Sequence, residues 1–232
     1  VFQLDQVVPW GRNFDEYCRM FALSDEDLAH RILGCGDGPA SFNAEATRRG
    51  STVISCDPIY KWEAADIRAR IAATRDTVLE QARLNADAYI WDSIGSVDEL
   101  DQIRMAAMNA FLDDYPRGTA GGRYVEGELP TLPFADRSFE LALCSHFLFL
   151  YSDHLGEAFH HHSVRELCRV ASEVRIFPLL ALNWKRSPFV ESTMADLRGA
   201  GHEVSIENVP YEFQRGANQM MRIRGVMALR SA

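Results

Sequence analysis

The stretch that most restricts this chain is Gly34-Cys35-Gly36-Asp37-Gly38. It follows Arg31-Ile32-Leu33, a short apolar run that reads as a strand. It precedes residues 39–49, which read as a helix closed by Gly50. Pro39 suits the first turn of that helix, where its missing N–H would have no partner in any case. Residues 52–56 are β-branched and apolar, a buried strand that ends at Asp57-Pro58. Strand, glycine bend, helix, strand and acid together form the opening of a parallel α/β sheet. Closely spaced glycines let the backbone turn tightly and come near a ligand. A carboxylate nineteen residues past Gly38, at the end of the neighbouring strand, can accept from both vicinal hydroxyls of a ribose. The two features point to a nucleoside lying across the carboxyl edge of a sheet.

The remaining pattern extends that sheet. Residues 60–122 are largely helical in periodicity, with Ile67, Ile71, Val78 and Leu79 in one run and Leu100, Ile103, Ala107 and Phe111 in another. A plain crossover needs far fewer residues, so this stretch reads as an inserted helical cap over an acceptor pocket, not a separate domain. Residues 123–128, 139–145 and 174–182 read as strands three, four and five, with an amphipathic helix at 163–171. A helix at 189–199 and strands at 204–209 and 221–229 follow, the two strands joined by a long polar connection. Before the first strand, Phe14, Tyr17, Cys18 and Phe21 share one helix face, and Ser24 with Asp27 forms an N-cap pattern. Residues 1–232 are read as one domain, with 1–28 as an N-terminal helical lid.

Charge and cysteine usage remove other classes. The net charge is −9, and Lys61 and Lys185 are the only lysines. Nucleic-acid affinity rests on clustered bases that displace counterions, so no nucleic-acid partner is expected. No apolar run reaches the roughly 20 residues of a membrane span, so no membrane partner is expected either. The five cysteines are scattered and contain no CxxC pair, which fits reduced thiols and a cytoplasmic setting. No secretory leader pattern opens the chain.

Three nucleotide motifs compete for the glycine bend. A P-loop is excluded, because no Gly-Lys-Ser/Thr follows. A dinucleotide fingerprint wants a small residue where Pro39 stands, which disfavours a nicotinamide oxidoreductase. The G-x-G-x-G spacing instead resembles motif I of class I S-adenosylmethionine-dependent methyltransferases. The run from Gly127-Glu128-Leu129 through Leu132-Pro133-Phe134 to Ser138-Phe139-Glu140-Leu141 is similar to that family's stretch entering its fourth strand. The helix at 164–171 and the two final strands resemble the family's helix before strand five and its C-terminal hairpin.

The resemblance implies a three-layer Rossmann-like α/β sandwich, with a seven-stranded mixed sheet, an antiparallel C-terminal hairpin and a helical insertion after strand two. It implies S-adenosylmethionine as cofactor and a small molecule as methyl acceptor. Gly34, Cys35, Gly36 and Gly38 would cradle the cofactor, and Asp57 with Pro58 would hold the ribose. Glu128 would accept from the adenine amino group, beside a Leu129 backbone contact. Ser145 and His146 would end strand four beside the sulfonium, with His146 placed either as general base or as a packing residue. Arg12 would pair the methionine carboxylate or serve as a structural arginine, and Tyr17 would line the pocket or pack in the core. Cys144-Ser145-His146 stands where relatives often carry Asp or Asn, and no Pro-Gly-Gly turn precedes strand five. The run His160–His162 points its rings in different directions on a helix, so no metal site is expected. The other class of function left open is a non-catalytic module that binds S-adenosylmethionine or S-adenosylhomocysteine.

Overall fold

A computed structural model describes residues 8–225. Seven helices and seven strands follow in chain order. They are α1 (Phe14–Met20), α2 (Asp25–Ala29), β1 (Arg31–Cys35), α3 (Phe42–Arg48), β2 (Thr52–Cys56), α4 (Ala64–Leu84), α5 (Val97–Ala120) and β3 (Tyr124–Val125). Then come β4 (Phe139–Ser145), α6 (Glu157–Val170), β5 (Ala171–Phe177), α7 (Val190–Gly199), β6 (Glu203–Asn208) and β7 (Gln219–Arg224). The strands form one sheet in the order β3-β2-β1-β4-β5-β7-β6. Pairings from β3 through β5 are parallel. β7 runs antiparallel to both β5 and β6. The order reverses direction at β1, which places a crevice at the carboxyl ends of β1 and β4.

Alternation along the strands splits the core into two faces. Leu33 of β1 and Ala142 and Cys144 of β4 pack toward Val164 and Leu167 of α6 and Val190 and Leu197 of α7. Ile32 of β1 and Leu141 and Leu143 of β4 pack toward Phe14, Tyr17 and Met20 of α1 and Phe42 of α3. A third cluster joins α4 and α5 through Ile67, Ile71, Met108 and Phe111 around Tyr60 and Tyr124. The seven-stranded mixed sheet with its antiparallel final pair is the one expected.

Several boundaries differ, each for a local reason. Pro39 is not in the helix, since α3 starts at Phe42. The preceding turn is held from outside, with the Ser41 N–H donating to the Arg12 carbonyl at 3.0 Å. A Cβ on Gly11 would sit 2.1 Å from the Pro39 carbonyl oxygen, so only glycine lets this segment cross there. β3 has two residues, not six, because Glu128 leaves the sheet for a small bridge to Thr131. α6 begins at Glu157, ahead of the expected start, and includes His160–His162. β5 starts at Ala171 and stops at Phe177, before Pro178, which has no N–H to offer a ladder. The expected last strand beyond residue 225 lies outside the described residues.

Candidate functional site

The crevice deepens into a cavity of about 730 Å³, within the range of small-ligand sites. Its floor is the glycine bend. Gly36 and Gly38 have φ of +69° and +54°, a left-handed region that side chains disfavour. The Gly36 N–H donates to the Cys56 carbonyl at 2.9 Å, which ties the bend to β2. Gly34 does not line the cavity. A Cβ there would fall 1.8 Å from Asp37 Oδ2, so its small size makes room for the folded-back carboxylate of Asp37. That carboxylate accepts from Tyr17 Oη at 2.8 Å and Ser55 Oγ at 2.6 Å.

Asp57 stands beside the bend and is buried. Its Oδ2 accepts from the Gly38 N–H at 2.8 Å, and its Oδ1 accepts from the Ile59 N–H at 2.9 Å. Each oxygen keeps a second lone pair for a ligand. Burial pushes both carboxyls up to about 6, against the pull of their hydrogen bonds, and the Asp57 charge raises Asp37 further. Pro58, Cys35 and Leu129 line the same end, and Glu128 is exposed at the rim.

At the end of β4, Ser145 Oγ lies 2.9 Å from His146 Nδ1. His146 has φ of +51°, an uncommon conformation for this residue, and its N–H donates to the Phe177 carbonyl at 2.7 Å. Burial and the charges of Arg12 and Arg104 hold its pKa well below the usual imidazole range. It is therefore a neutral ring and a weak base at neutral pH. Arg12 lines the cavity with its Nη1 donating to the Trp10 carbonyl at 2.7 Å. Its Nε has no partner among the described residues.

The sequence expectation missed the opposite wall. Arg104 of α5 is fully buried and grips Glu16 of α1 through two hydrogen bonds, at 2.5 and 2.7 Å. Tyr211 Oη donates to the same carboxylate at 3.0 Å. The connection between β6 and β7 is not merely polar, since Val209, Tyr211, Phe213 and Ala217 join the core. It docks on the link between α4 and α5, where the Ile90 N–H donates to the Phe213 carbonyl and the rings of Tyr89 and Phe213 stack at 4.8 Å. Tyr211, Phe213, Gln214 and Ala217 thus reach the cavity with Tyr89 and Arg104. The aromatic spacing at 211 and 213 was the available signal. Among the described residues no cluster of three or more His, Cys, Asp or Glu is arranged for a metal. His160 is buried, with both ring nitrogens beside backbone carbonyls of Gly156 and Leu148. No described helix is long and apolar enough to cross a membrane.

No protein-family profile matches the chain. Among solved structures it is similar to the mitomycin 7-O-methyltransferase MmcR, with a TM-score of 0.49 and 14% identity over 91% of this chain and 53% of that one. PigF with S-adenosylhomocysteine gives a TM-score of 0.48 and 13% identity over 92% and 61%. A TehB-like methyltransferase from Corynebacterium glutamicum gives 0.41 and 13% over 84% and 79%. The strand order itself, β3-β2-β1-β4-β5-β7-β6 with an antiparallel final pair, shows an open, Rossmann-like α/β sheet. By sequence, 222 residues are 33% identical to the uncharacterized protein MJ0045 of Methanocaldococcus jannaschii, covering 95% of this chain and 97% of that one. The chain belongs to one family with that archaeal protein.

Proposed function

We propose that the protein is an S-adenosylmethionine-dependent methyltransferase acting on a small-molecule acceptor. The observation that carries this reading is the left-handed bend of Gly36 and Gly38 beside the buried Asp57 carboxylate, on the floor of a 730 Å³ cavity. The residues fit such a cofactor. Asp57 keeps lone pairs free for two ribose hydroxyls, and Glu128 and Leu129, which line the same cavity, would meet the adenine edge. Arg12, which lines the cavity, suits the methionine carboxylate. Tyr17 acts one step back, by holding Asp37 in place.

When bound, this cofactor supplies a methyl group already activated by its sulfonium. The protein's part is then alignment and exclusion of water. α1, the 60–122 segment and the β6–β7 connection close the cavity walls around the acceptor. His146, neutral and paired with Ser145, orients an acceptor hydroxyl or amine by accepting its proton in a hydrogen bond. Its low basicity makes it a poor store for a full proton, so acceptors that react without prior deprotonation suit it best.

Thermal melting and titration calorimetry with S-adenosylmethionine, S-adenosylhomocysteine and NAD test the reading. Binding to the native state raises the melting temperature, and the two adenosyl compounds should do so. Asp57→Ala should weaken S-adenosylhomocysteine by about 1–3 kcal/mol, roughly 5- to 150-fold. Stabilisation by NAD alone would overturn the assignment. Tight cofactor binding with no methyl transfer to any compound in a metabolite extract would favour a non-catalytic module.

A further inference from the structure

The lining of the cavity divides by charge along the chain. All of its charged side chains, from Arg12 and Asp37 to Arg104 and Glu128, belong to residues before position 130, and residues 145–184 add none. In that later group Phe147, Leu150, Leu155, Phe159 and Trp184 are only half-buried, and Leu182 lines the cavity with them. Contacts tie much of this patch together. The rings of Phe147 and Phe159 meet edge to face with centroids 6.4 Å apart, and the Leu182 N–H donates to the Leu150 carbonyl at 3.0 Å. Tyr151 stands beside Phe147, and its Oη accepts from the Val8 N–H at 3.4 Å. Apolar side chains of this size are normally covered, and apolar surface in a concave site is best covered by an apolar guest. A charged guest would lose its hydration there with no counter-charge to replace it. Phe147 also fixes where the patch begins. A Cβ on Gly36 would come within 3.2 Å of Phe147 Cβ, so the patch abuts the glycine bend. In sheet order Asp57 follows β2, the bend follows β1, Phe147 follows β4 and Leu182 follows β5. The segments that carry the patch therefore leave the sheet on the far side of the bend from Asp57, directly after Ser145 and His146.

We propose that the methyl acceptor is an uncharged, apolar molecule whose one polar group is the reacting one, its body covering Phe147, Leu150, Leu155, Phe159 and Trp184 while its reacting atom faces His146. The proposal rests on the cofactor reading above, and its test separates the two. Titration calorimetry is run on protein saturated with S-adenosylhomocysteine, whose own binding is measured first. It compares two matched sets: octanol with octanoate and octylamine, and para-propylphenol with para-hydroxyphenylpropionate and tyramine. In at least one set the neutral member should bind tenfold or more tightly than both charged members. Leu155→Glu should cut that binding tenfold or more and leave S-adenosylhomocysteine affinity within twofold, which also shows that the variant folds. Trp184→Asn, suited to the φ of +65° there, is the second variant and should weaken the neutral probe without adding a charge. Arg70→Gln, at the charged end of the lining, should leave the neutral probe unchanged. Charged members that bind as tightly as the neutral ones, or no binding of either neutral probe, would overturn the proposal. Neutral binding that both patch variants leave intact, or that Arg70→Gln removes, would overturn it too. So would neutral probes that bind the free protein and are expelled on loading, since the patch would then serve the cofactor. Absence of S-adenosylhomocysteine binding would instead remove the cofactor reading, with the preference for neutral probes still measurable on the free protein.

Discussion

Asp57 shows how one buried side chain can link pH to binding. Its carboxyl is raised to about 6, mainly by burial. A group raised in the folded state contributes stability that is full below its unfolded value, near 3.8, and lost as pH climbs through about 6. Ribose hydroxyls donate best to the ionised form, so a ligand recovers part of what ionisation costs. S-adenosylhomocysteine should therefore tighten between pH 5 and 7 and level off above, and calorimetry with Asp57→Asn should give a flatter profile. A wild-type affinity independent of pH would show that Asp57 does not meet the ribose. Gly34 matters for a different reason from its neighbours. Gly34→Ala drives a Cβ into Asp37 and should break the Tyr17 and Ser55 hydrogen bonds, costing about 1–3 kcal/mol per stranded partner. Urea unfolding measures the loss, and an unmoved midpoint would mean that Asp37 relaxes freely.

At the level of elements, the Glu16–Arg104 pair joins α1 to α5 across the interior, with both side chains almost wholly buried. Glu16→Gln leaves the guanidinium buried without its counter-charge, a change worth about 3–5 kcal/mol. Adding Arg104→Met should restore much of the stability, because the stranded charge is gone. If the double variant melts no higher than the single one, the pair's value lies in its hydrogen bonds and not in charge balance. The strands β2 and β4 were legible to the residue, since each is a nearly continuous apolar run between turn signals. The start of α3 was not, because the backbone of Gly11 and Arg12 holds the preceding turn from outside. Nor was the buried ion pair, whose partners lie 88 residues apart and leave no local pattern.

Across the molecule, what could be read from the chain was the half of the cavity built by strand ends. Gly36, Gly38, Asp57, Ser145 and His146 meet there because parallel strands bring their carboxyl ends to one edge. The other half is assembled from α1, the α4–α5 link and the β6–β7 connection, which meet only through tertiary packing. Tyr211 and Phe213 looked like loop residues until the stacked ring of Tyr89 gave them a surface to cover. A single carboxylate, Glu16, joins α1, α5 and the β6–β7 connection: it caps α1 by accepting from the Asn13 N–H at 3.1 Å, holds Arg104 of α5 and accepts from Tyr211. Such a shared hub ties the walls together, so a change at this one carboxylate acts on all three at once and should reshape the chamber as a whole rather than one side of it.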